Sequence, residues 1–167
     1  EGLRDLQRGV VTEVQPFVAA SLDGERQSEG SFAYAPADWE PGANLRVGFT
    51  NLSIDATVNP DFSQVETDAS QVSVNERFAL FYPEKRPFFL EGIELFATPN
   101  SLVYTRQIVD PTGGGKVTGK VGKTGIAFLS AADDTGDAHA WFNIARLRQD
   151  IGSDSLAGLT YTDRTES

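Results

Sequence analysis

Between Asn59 and Asp68, the side chains of Asn59, Asp61, Ser63, Glu66 and Asp68 place oxygen atoms at short intervals along the chain. Oxygen ligands so spaced suit a hard cation such as calcium. The pattern departs from a calcium loop at two points. Gln64 stands where the turn glycine belongs, and Ser70 where a bidentate glutamate belongs. The segment therefore reads as a strand leading into a polar, hydrogen-bonded loop. Asn59, Asp61, Glu66 and Asp68 are its weak metal candidates, and no metal or other cofactor is expected.

Three further patterns carry less chemistry. Gly113-Gly114-Gly115-Lys116 has the look of a phosphate loop, but Asp110 occupies the first glycine position and Val117 replaces the Ser or Thr. A flexible turn before a strand accounts for it. His139 is the only histidine, and one histidine without cysteine builds no conventional zinc site. Carboxylate pairs such as Glu91 with Glu94 and Asp133 with Asp134 abound in an acidic chain, but glycoside hydrolysis needs two at a fixed separation across a cleft, a distance that sequence does not supply. No catalytic residue is assigned, and the chain is not expected to be an enzyme.

The segment Tyr82 to Gly92 is denser. Pro83 and Pro87 stiffen it and withhold ladder hydrogen bonds. Glu84, Lys85, Arg86 and Glu91 can pair with one another, and Phe88, Phe89 and Leu90 form an apolar run. One reading is a structured loop folded into or across a barrel and anchored by its phenylalanines. The other is a docking surface for a partner or glycan, built from Glu84, Lys85, Arg86, Phe88 and Phe89. Trp39 is a separate candidate for stacking on a sugar.

The elements that must position these residues are strands. Leu45, Val47 and Phe49 alternate with Arg46, Gly48 and Thr50; after Thr50-Asn51, Leu52, Ile54, Ala56 and Val58 alternate with Ser53, Asp55 and Thr57. A hairpin with the loop Thr50-Asn51 sets Val47 opposite Ile54 and Leu45 opposite Ala56. A second hairpin runs from Lys116 to Ala132, with the four-residue loop Gly122-Lys123-Thr124-Gly125. Strands are also expected over Val10–Ser21, Phe32–Ala35, Leu102–Val109, His139–Leu147 and Leu156–Thr162. Asp68 to Phe81 reads as helix or strand, and Tyr34 to Gly42, with Pro36, Trp39 and Pro41, as an irregular connector. Short strands separated by regular turns predict an all-β antiparallel meander, as barrel or sandwich.

Composition narrows the function classes. A net charge of −10 repels phosphate backbones and disfavours a polybasic membrane anchor, so no nucleic-acid partner is expected. With no Cys, disulfides and thiolate sites are excluded. No apolar run is long enough for a transmembrane helix, whereas barrel strands cross in about 10 alternating residues. The absence of Met and of a signal-peptide pattern suggests a fragment of a larger protein. Lys116 with Lys120, Arg146 with Arg148, and Asp55 with Thr57 each share a face, as in a barrel with a polar interior or on the outer face of a soluble sheet.

The stretch Val58-Asn59-Pro60-Asp61-Phe62-Ser63-Gln64-Val65-Glu66-Thr67-Asp68, followed by Arg77 to Gly92, resembles an uncharacterised bacterial envelope family. Leu102 to Arg106, Gly119 to Gly122 and Leu159 to Arg164 also look like that family. The resemblance covers roughly Gly9 to Arg164. It implies an upstream carbohydrate-binding module of the family-nine type, and places this chain in the first part of a C-terminal outer-membrane barrel-like domain. That family offers no established catalytic residues to carry over.

Residues 1–167 are thus expected to form a single β-rich domain, part of a larger barrel and open in itself, with residues 59–98 as its motif-bearing region. The expected role is structural or transport-related, in contact with outer-membrane lipid, with carbohydrate reached through the upstream module. The alternatives are a soluble periplasmic β-sheet module that binds carbohydrate or protein, and a hydrolase. Tyr34, Trp39, Tyr104, Trp141 and Tyr161 would form an interfacial girdle in the first case.

Overall fold

The computed structural model describes residues 9–22, 24–26, 30–60, 83–134 and 139–166. The described residues form one antiparallel sheet of seven strands and a small two-stranded ribbon. Along the chain the strands are β1 (Val11–Ser21), β2 (Gly24–Arg26), β3 (Phe32–Tyr34), β4 (Asp38–Gly48), β5 (Leu52–Val58), β6 (Pro111–Val121), β7 (Thr124–Asp134), β8 (His139–Ile151) and β9 (Ser155–Glu166). The large sheet runs in the order β1-β4-β5-β6-β7-β8-β9, and β2 pairs with β3. The sheet is open, with β1 and β9 as its edges. The all-β antiparallel class predicted from alternation is the one found.

The first hairpin has the predicted register: Val47 faces Ile54 and Leu45 faces Ala56, closed by a bond from the Phe49 N–H to the Leu52 carbonyl. The second is tighter than predicted. Val121 pairs with Thr124, so the loop is Gly122-Lys123 rather than four residues. Gly122 takes φ of 61°, which glycine adopts without steric cost. Both loop lengths are even, so Val121 and Ile126 share a face either way.

Two expectations are corrected. Trp39, Pro41 and Gly42 lie inside β4, not in a connector. Proline is tolerated there because β5 pairs with β4 only from Ala43 onward, leaving Pro41 paired on one side. The Asn59 side chain donates to its carbonyl at 2.9 Å. Leu102–Val109 is not a strand; it carries a 3-10 turn over Thr105–Gln107. The carbonyls of Thr105 and Ile108 are taken by the Arg86 guanidinium, which removes them from any ladder. The region from Asp68 to Phe81 lies outside the described residues.

The sheet's two faces differ. Residues 83–110, including the single-turn helix α1 (Pro87–Leu90) and a 3-10 turn at Ile93–Leu95, lie over one face. On β7 and β8 that covered face is apolar: Ala127, Leu129, Ala131, Ala140, Phe142 and Ile144 form a core with Phe88, Phe89, Phe96 and Ile108. On β5 and β6 it is polar, with Asp55, Thr57, Lys116 and Thr118 buried. The opposite face is bare and apolar.

Candidate functional site

The polar half of the covered face is built by register. One row across the strands reads Glu13, Arg46, Asp55, Lys116 on β1, β4, β5 and β6. The signs alternate from strand to strand, so opposite charges sit side by side. The Arg46 guanidinium holds Asp55 at 2.8 Å and reaches Glu91 of the cover at 2.6 Å.

The cover is seated on β6 by a column of three residues. Gly114 leaves a slot where a Cβ would meet the Phe88 ring at 3.2 Å. Lys116, almost wholly buried, donates to the carbonyls of Phe88 and Glu91, each at 2.5 Å. Thr118 packs under Gly92, whose φ of 67° lets the chain turn there. The Gly113-Gly114-Gly115-Lys116 run is therefore strand, with its glycine a berth for an aromatic ring and its lysine a clamp on the end of α1.

A second knot lies within the cover. Arg86 donates from Nε and Nη2 to the two oxygens of Glu84, both at 2.8 Å. Its remaining donors reach the carbonyls of Ile108 at 2.6 Å and Thr105 at 2.9 Å. The Thr105 hydroxyl donates to Glu84 at 2.6 Å, and the guanidinium stacks 4.1 Å from the Phe89 ring centroid. Burial pushes the Glu84 carboxyl up, but the hydrogen bonds from Arg86 and Thr105 and the guanidinium charge outweigh it and hold it below the ordinary carboxylate value.

The residues singled out from sequence separate into groups. Glu84, Arg86, Phe88 and Phe89 come together, but buried: they hold the cover and present no exposed aromatic surface. Lys85 is exposed beside them. Trp39 lies away from them, exposed on the bare face of β4. Asn59 is spent on Pro41; Asp61, Glu66 and Asp68 lie outside the described residues. Among the described residues no cluster of three metal-ligating side chains occurs. His139 opens β8, exposed, 3.4 Å from the Asp134 carboxylate.

Sequence reasoning missed Thr105 and the role of Lys116. The signal for Lys116 was present, since it shares a face with Gly114, but only the seated cover shows why a lysine must lie there. Thr105 left no local signal.

A family model described as Domain of unknown function (DUF5916) matches residues 12–123. The chain belongs to that family. The DUF5916 match takes in β1, the cover and the β6 column that seats it, and ends in the β6–β7 turn. No curated protein and no solved structure matches the chain.

Proposed function

We propose that this DUF5916 chain is part of an outer-membrane β-barrel, with the bare face toward lipid and the covered face toward the interior. The observation that carries the reading is the extent of the bare apolar face, set against a covered face that is polar on β5 and β6. Val14, Val18, Leu45, Ile54, Val58, Phe128, Trp141, Leu147, Leu159 and Tyr161 all point to the bare side and are 40–68% exposed. The buried charges Asp55, Lys116 and Arg146 lie on the other. A water-soluble sheet buries its larger apolar face; a membrane barrel turns it outward. So extended an exposed apolar face marks a surface that contacts something apolar.

Strand length and connection length support the same reading. Apart from β5, the strands of the sheet run for 11 to 13 residues, enough to cross a hydrocarbon layer when tilted. The turns at 49–51, 122–123 and 152–154 are short and all lie at one end. At the other end β1 leads to β4 and β5 to β6 through the longer stretches 22–37 and 59–110, while β7 leads to β8 through the four residues 135–138. Outer-membrane barrels have short periplasmic turns and longer external loops. Trp39 and Trp141 both point outward near the long-connection end, where interfacial aromatics belong.

In this reading the cover occupies the interior and narrows it, which gives the chain a structural or transport role. Glycan handling rests on the envelope family that the sequence resembles. Fractionation tests the placement: the protein should stay with membranes through an alkaline wash and leave only with detergent. Recovery as a monodisperse species in plain buffer would favour the periplasmic binding module instead.

A further inference from the structure

The covered-side face of β8 ends in two arginines. Arg146 pairs with Thr160 and Arg148 with Gly158 of β9. Arg146 is 8% exposed. Its Nη1 donates to the Thr160 hydroxyl at 3.0 Å, and its Nε is buried with no hydrogen-bond partner. No carboxylate among the described residues pairs with it. A guanidinium stays protonated at any physiological pH, and a buried charge without a counter-charge is costly. Natural proteins keep such a group where something negative meets it.

The surroundings fit that purpose. Lys120 reaches Asp150 at 2.6 Å, and Arg148 lies 3.4 Å from the same carboxylate. One acid thus serves two cations, and Arg146 adds a third, in a chain whose net charge is −10. The residues beside them are small, Gly125 on β7 and Gly158 on β9, with Leu95 of the cover approaching Gly125. The Nη2 of Arg146 lies over Gly158, 3.8 Å from where a Cβ would be. Glycine at 158 puts no side chain beneath that guanidinium group.

We propose that Arg146 and Arg148, beside Gly125 and Gly158, form a binding site for a small oxyanion of the phosphate or sulfate type. Planar guanidinium forks bind such tetrahedral anions through paired, charge-assisted hydrogen bonds. Thr160 orients one fork, and Lys120 adds charge from across β7. The site depends on the covered face alone and not on the lipid-facing role of the other, so fractionation and anion binding fail independently.

The test is titration calorimetry of the full chain, in maltoside micelles to avoid phosphate headgroups, with inorganic phosphate as the probe and sodium chloride at matched ionic strength as the control. Saturable phosphate binding is expected, weakened at least tenfold in Arg148→Gln and lost in Arg146→Gln. Arg148 is half-exposed, so its variant reports even if Arg146→Gln fails to fold. Absence of saturable heat, an equal response to chloride, or unchanged binding by Arg148→Gln would overturn the proposal.

Discussion

Glu84 and Arg86, two residues apart, face each other through two parallel hydrogen bonds of 2.8 Å with side chains 4% and 1% exposed. Each is the other's only charge partner among the described residues. Removing one leaves the other buried and uncompensated, a loss of about 3–5 kcal/mol. Glu84→Gln should therefore lower the stability of the folded chain by that order in denaturant titration. A change under about 1 kcal/mol would mean the knot is solvated.

The same pair sets a pH dependence. The Glu84 carboxyl is held below its ordinary value in the fold, so the folded state binds its proton less readily than the unfolded state. Its contribution is fully present above the unfolded value of about 4.3 and is lost as pH falls through the lower folded value. Stability measured from neutral to acid pH should decline over that window, and Glu84→Gln should flatten the decline.

Gly114 and Phe88 should behave as a coupled pair. Phe88→Ala empties the berth, at about 3–5 kcal/mol. Gly114→Val drives a side chain into the ring and toward the Ser130 carbonyl, with an overpacking cost of about 1–3 kcal/mol. The double variant should be less destabilised than the sum, because the added bulk enters the vacated space. Strict additivity would show that the cover is not seated there.

The alternation of side chains made the sheet legible. A period of two from Leu45 to Val58 gave the hairpin and its register, because a one-residue slip would turn Ile54 and Ala56 to the charged side. What alternation does not encode is tertiary. Pro41 looked like a strand breaker because its freedom from β5 depends on where that strand stops. Leu102 to Val109 reads locally as a strand, but its Thr105 and Ile108 carbonyls are claimed by Arg86, distant in sequence. The charged half of the site was partly visible as Lys116, Asp55 and Thr57 on shared faces. Its purpose was not, since that depends on which carbonyls the cover brings to Lys116.

Charges should be tolerated on one face and rejected on the other. Ile54→Lys and Phe128→Arg put a cation on the bare face, at about 2–4 kcal/mol if the position lies at the bilayer midplane. Thr162→Lys, on the covered side of β9, should change little. Assembly into lipid vesicles, followed by the resistance of the folded barrel to denaturant, measures both. Equal tolerance on the two faces would argue for water on both.

The lipid-facing role of the bare face is tested most directly by nitroxide scanning along β9, which the cover leaves exposed on both faces. The chain has no cysteine of its own, so each label reports one position. In lipid vesicles, collisions with oxygen should peak at Leu159, Tyr161 and Asp163, and collisions with a water-soluble nickel chelate at Gly158, Thr160 and Thr162, giving a period of two in opposite phase. Uniform access of the nickel chelate along the whole strand would contradict the account.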